Sequence, residues 1–206
     1  MVDVGIGLKV LEAEVIPFWL QLLATLCLLV IVVVYARHYP LSNFLWFSNI
    51  GMLGTVLALW LESSLLASMM AVGGLLPAVA WNLSYFGQLL TGRGMAGLTD
   101  YMFDERLPRY LRALSLYHVF MPVLLLWLVL RLGYDPRAVP AQTLLMWLVL
   151  GLTWWVGPED NVNFVRGPRR QGHSRLHPLL YLGLLMLAMP LLLLVPTHFL
   201  LLALVT

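Results

Sequence analysis

The sequence predicts an all-α fold, a polytopic bundle of six membrane-spanning helices forming a single membrane domain over residues 1–206. Three observations lead there. Of the 206 residues 61% are apolar and 11% charged, against roughly 45–50% and about 25% in soluble domains. The mean hydropathy is +0.88. Six apolar runs approach or exceed the roughly 20 residues that span a bilayer.

Those runs are Val15–Ala36, Phe44–Leu61, Leu65–Phe86, Ala113–Leu130, Val139–Val156 and Pro178–Leu204. The first is not a signal peptide in this reading. Its flank, with Asp3, Lys9, Glu12 and Glu14, is more acidic than basic, and Tyr35-Ala36-Arg37-His38 follows it instead of a small-residue cleavage site. The last run contains Pro190 and Pro196, which predict a kink or tilt. Leu98–Arg112 mixes Tyr101, Met102, Phe103 and Leu107 with acids and arginines and suits the headgroup plane. Pro108 argues against one unbroken helix there.

Orientation follows from the basic residues in the loops. Arg37, Arg93, Arg106, Arg109, Arg112, Arg166, Arg169, Arg170 and Arg175 fall on one side, and Lys9, Arg131 and Arg137 on the other, nine against three. The 37–43, 87–112 and 157–177 loops are therefore expected in the cytoplasm and both termini outside.

Several function classes drop out. Twelve Lys and Arg against ten Asp and Glu leave no basic surface for a nucleic acid. One cysteine, Cys27, excludes an intrachain disulfide framework and any zinc site needing two thiolates. There is no Gly-x-Ser-x-Gly elbow. Paired intramembrane charges and an inverted repeat, the marks of a transporter, are lacking too.

Polar residues in or beside spans are costly, so their placement is informative. Ser48 and Asn49 lie just inside the second run and His118 just inside the fourth, each about five residues from the cytoplasmic end. At 1.5 Å per residue this sets them at a common depth of roughly 7–8 Å. Asn82, Ser84 and Tyr85 reach the same face, as do Glu159, Asp160, Asn161 and Asn163, then His173 and His177. A serine beside a histidine is a nucleophile with its general base, reaching ester carbonyls of lipids. Asn49, Asn82 or Asn163 could serve an oxyanion.

Plainer readings stand beside these. Ser48, Gly51 and Thr55 form a small-residue stripe suited to helix packing. Pro122 frees the carbonyl of His118, four residues earlier, which fits a site or a kink. Asn161 and Asn163 follow Gly157-Pro158 as turn residues do. Trp19, Trp46, Trp81 and Tyr181 read as interfacial anchors. His118, His173 and His177 would make an alternative three-histidine zinc shell; otherwise no cofactor is expected.

The order of these features resembles a known group. A polar dyad opens the second span, followed by Leu-Thr-Asp-Tyr-Met-Phe-Asp (98–104), Leu-Ser-Leu-Tyr-His (114–118), Asn161-Val-Asn163-Phe and His177-Pro178-Leu-Leu-Tyr181. Over roughly residues 40–185 the chain is similar to the YwaF-like six-span bacterial membrane proteins. Their more distant relatives are an ether-phospholipid acyltransferase and the androgen-induced hydrolases of fatty esters. The resemblance implies a bacterial inner membrane, lipid substrates, Ser48 as nucleophile and His118 as its histidine. Ser48 stands where those families carry Cys or Thr, and Asn49 where YwaF-like chains carry an acid. The competing expectation is a non-catalytic membrane subunit or lipid-binding scaffold, with a membrane-protein partner or a second copy of the chain.

Overall fold

The computed structural model describes residues 15–93, 97–156, 161–168 and 174–205. Among them there is no β-strand. The helices are α1 (Phe18–His38), α2 (Phe47–Leu61), α3 (Ser64–Thr91), α4 (Arg109–Leu114), α5 (Tyr117–Leu132), α6 (Ala138–Val156), α7 (Pro178–Met189) and α8 (Val195–Val205). Among the described residues five segments are long and apolar enough to cross a bilayer: α1, α3, residues 109–132, α6, and residues 178–205. The chain is thus an integral membrane protein built as an all-α bundle.

The second predicted span is the short one. Its helix has 15 residues, about 22 Å of rise against a hydrocarbon core of about 30 Å. A 3-10 turn over Leu41–Leu45 precedes it, so Ser48 and Asn49 sit in the first turn of α2 rather than five residues within a helix. The predicted fourth span is likewise divided. Pro108 stands at the start of α4, and Ser115 and Leu116 separate α4 from α5. Ahead of them, the headgroup-plane segment holds only a 3-10 turn at Asp100–Met102. In the last span, Pro190–Leu194 form a π-helical turn between α7 and α8, the local widening by which a helix absorbs a proline.

α3 is the hub, packing against α2, α5, α6 and α8. Its buried face is rich in small residues, with Ala67, Ser68, Ala71 and Ala78 fully or nearly enclosed. In lipid, where apolar burial drives little association, small residues let helix backbones approach closely. Gly73 is a close approach, because a Cβ there would lie 2.5 Å from Gln142 Nε2 and 3.0 Å from Gln142 Cδ of α6. Gly73→Ala should therefore cost about 1–3 kcal/mol in detergent unfolding titrations. Gly51→Ala, with nothing within 4 Å of the added methyl, is the control that should change little.

α1 is peripheral and buries only Gln21, Ile31 and Tyr35. Polar bonds pin it to α2: Gln21 Nε2 donates to the Leu59 carbonyl at 3.1 Å and Trp60 Nε1 to Thr25 Oγ1 at 2.8 Å.

Candidate functional site

Several polar side chains meet where α2 and α5 begin and α3 ends, and Tyr117 and His118 are at the centre. Pro122 has no N–H, so the His118 carbonyl has no helical donor. Asn82 of α3 supplies one, its Nδ2 donating at 2.8 Å to the His118 carbonyl and at 2.8 Å to that of Ala78. This bond fixes the depth of α5 against α3.

The His118 ring is held on both faces, against Tyr117 at 4.1 Å and Trp81 at 4.7 Å between centroids. Its Nδ1 lies 2.8 Å from the Ser115 carbonyl. A carbonyl only accepts, so Nδ1 carries the proton and Nε2 the lone pair. Nε2 has no hydrogen-bond partner among the described residues.

Tyr117 stands between the two residues expected to act together. Its hydroxyl donates to Asn49 Oδ1 at 3.4 Å and lies within bonding reach of Ser48. Ser48 and Asn49 thus come to the level of His118. Among the described residues, however, no hydrogen bond joins Ser48 to His118; the side chain against Ser48 is the phenol of Tyr117.

The amides are spent on backbone. Asn49 Nδ2 donates to the Asn43 carbonyl at 2.7 Å. Asn163 Nδ2 donates to the Leu45 carbonyl at 2.7 Å, while its Oδ1 accepts from Phe47 N at 3.0 Å. Asn161 closes its own loop, donating to the Gly167 carbonyl at 3.0 Å and accepting from Arg166 N at 2.8 Å. Oxyanion service by Asn49, Asn82 or Asn163 would require these bonds to open.

Tyr85 contributes a ring, stacked on Trp81 at 5.1 Å. His177 is exposed just ahead of α7, and its backbone carbonyl accepts from Tyr181 N at 3.0 Å. Asp160 and His173 lie outside the described residues. Among the described residues no three His, Cys, Asp or Glu side chains gather as a metal shell would need.

Trp81 corrects its reading as an interfacial anchor. It is 5% exposed, and its Nε1 donates to the Tyr101 hydroxyl at 3.1 Å. Tyr101 in turn reaches Ser115, whose Oγ also bonds the Tyr35 hydroxyl at 3.2 Å. Trp81, Tyr101, Ser115 and Tyr35 so form one hydrogen-bonded chain from α3 to α1 around the imidazole. Burial pushes the Tyr101 phenol above its ordinary 10.0. The folded state favours neutral Tyr101, so this stabilisation is complete below pH 10 and is lost as alkali ionises the group. An absorbance titration should show Tyr101 ionising after the exposed phenols, and Tyr101→Phe should take one phenol out of the late component.

Tyr35, Tyr101, Ser115 and Tyr117 were not legible as site residues. The weak signal for Tyr117 was its place beside a histidine whose carbonyl a proline releases.

Comparison of the chain with protein-family models, with curated proteins and with solved structures finds no match.

Proposed function

We propose that this integral membrane protein is an intramembrane lipid-ester hydrolase or acyltransferase, with His118 as general base and Ser48 as nucleophile at the cytoplasmic leaflet of a bacterial plasma membrane, both termini outside. One observation carries the reading. His118 is oriented through Nδ1, clamped on both ring faces and left with an unpartnered Nε2, while the four neighbouring asparagines are committed to backbone. A base fixed in one tautomer with a free ring nitrogen is one half of the arrangement nucleophilic catalysis uses; the hydroxyl of Ser48, now against Tyr117, would supply the other. The resemblance to the YwaF-like group supports the same pair, with Ser48 at the nucleophile position.

In this reading Nε2 takes the Ser48 proton as Oγ attacks an ester carbonyl, and imidazolium returns the proton to the departing alcohol. Water, or a second lipid alcohol, then releases the acyl group from Ser48. The Tyr117 phenol must first turn away from Ser48.

A fluorophosphonate probe on protein in lipid nanodiscs tests this. Labelling is expected in the wild type and lost in Ser48→Ala and His118→Ala, whereas folded wild type that takes no label overturns the mechanism. Chelation should leave labelling unchanged. Activity lost with EDTA would instead move the chemistry to zinc on His118, His173 and His177.

The second reading, a non-catalytic lipid-binding subunit, is favoured by the Tyr117 phenol lying against Ser48. It predicts stable co-purification with other membrane chains or with a second copy, unaffected by Ser48→Ala.

A further inference from the structure

Away from the imidazole, the outer surface of α3 and α5 carries a groove of about 410 Å³. Val79, Leu83, Phe86 and Leu90 of α3 and Val119 and Pro122 of α5 form its walls. The α3 residues recur at three- and four-residue spacing, so they form one stripe. From Val79 to Leu90 this stripe runs about 16 Å along the helix, the length of one extended acyl chain rather than a sheet of lipid. Gly87 lines the groove without a side chain, which leaves room there.

The two ends differ in chemistry. At the inner end Asn82 is the polar lining residue, and its Nδ2 is spent on the Ala78 and His118 carbonyls. No amide hydrogen remains there for an anionic headgroup. At the Leu90 end the chain folds back, so that a Cβ on Gly87 would lie 3.8 Å from the Arg93 carbonyl. Arg93 is exposed and makes no ion pair among the described residues. In contrast, Arg106 is paired with Asp104 at 2.8 Å, and Arg112 donates to the Met102 carbonyl at 3.0 Å. Arg93 lies three residues beyond Leu90, where the backbone folds back on Gly87, so an apolar groove with an exposed arginine just past one end complements one ligand shape, a hydrocarbon tail below a phosphate.

We propose that this groove is a binding site for a single anionic glycerophospholipid, one acyl chain lying along Val79–Leu90 and the phosphate on Arg93. The site rests on the groove and its arginine alone, and it holds whether or not His118 is a base.

Native mass spectrometry tests it on the full chain, released from nanodiscs of equal phosphatidylglycerol and phosphatidylcholine. Wild type should retain one phosphatidylglycerol, enriched about fivefold over phosphatidylcholine, the value of one cation at a membrane surface. Gly87→Phe, whose ring fills the groove from a position with only the Arg93 carbonyl nearby, should lose the retained lipid. Arg93→Gln should keep a lipid but bring the ratio near one. Wild type retaining both lipids equally overturns the proposal, as does a folded Gly87→Phe that keeps its lipid. Should Gly87→Phe not fold, Arg93→Gln decides alone, because its side chain makes no contact that the fold needs; an unchanged ratio in that variant overturns the headgroup assignment.

Discussion

Asn163→Ala is expected to lower stability by about 3 kcal/mol, the largest single-residue loss outside the apolar core. Two terms reach this figure at the low end of their ranges: Thr153 keeps its bond to the Val149 carbonyl, which leaves two orphaned groups at about 1 kcal/mol each and a backbone cost of about 1 kcal/mol. The first is the loss of three bonds: Asn163 accepts from Phe47 N at 3.0 Å, donates to the Leu45 carbonyl at 2.7 Å and reaches Thr153 Oγ1 at 3.4 Å. The residue is 5% exposed, so the groups it abandons gain little water in exchange, and each such orphan costs about 1–3 kcal/mol. The second term is backbone. Asn163 has φ 53, a left-handed conformation that asparagine tolerates and alanine adopts at a cost of about 1 kcal/mol. SDS-driven unfolding in mixed micelles measures the sum. Asn163→Asp separates its parts, because the carboxylate can still accept from Phe47 N but cannot donate to Leu45. A loss below about 1 kcal/mol in Asn163→Ala would mean that α2 is held by its packing instead.

The same substitution bears on the proposed chemistry. The N-cap residue of α2, Trp46, offers no side-chain cap, and Asn163 provides that service from a loop 116 residues away. Ser48 is the next residue after Phe47. Loosening this cap shifts the hydroxyl, so probe labelling at Ser48 should fall in Asn163→Ala even at detergent conditions where the protein remains folded. In the proposed chemistry Asn163 would then act by positioning Ser48 through the first turn of α2.

The apolar runs were legible because the bilayer requirement acts locally, through length and hydropathy. The interruptions at Pro108 and Pro190 were legible for the same reason, since a proline disturbs its own helix. The common depth of Ser48, Asn49 and His118 could also be read by counting residues from span ends, and the Tyr117 to Asn49 bond brings those levels together. What could not be read is azimuth. The spans are apolar around nearly their whole circumference, so no stripe says which way a residue points. Ser48 and His118 share a level, yet Tyr117 fills the space against Ser48, and the imidazole turns toward Trp81. Trp81 was misread for a related reason: aromatic residues near span ends usually face headgroups, whereas His118, Tyr85 and Tyr101 pack around this one. The asparagines carry no local mark of their partners, which lie 4 to 118 residues away.

Pro122 and Asn82 should behave as a coupled pair, and their coupling is the sharpest test of how α5 is seated. In the wild type, Asn82→Leu removes the only donor that Pro122 has left to the His118 carbonyl among the described residues. The expected loss is about 1–2 kcal/mol, between the mean of about 0.6 kcal/mol for interhelical bonds in membranes and the cost of a buried orphan carbonyl. In a Pro122→Ala background residue 122 regains its N–H, and the His118 carbonyl recovers an ordinary helical partner. Asn82→Leu should then cost little, so the double-mutant cycle should return a coupling of about 1 kcal/mol or more. Independent effects that simply add would show that the carbonyl is satisfied some other way. The cycle also reaches the imidazole, because α5 would no longer be set by the Asn82 contact. In Pro122→Ala/Asn82→Leu the Trp81 stack on His118 should loosen, seen as a red shift and reduced quenching of Trp81 fluorescence at preserved stability.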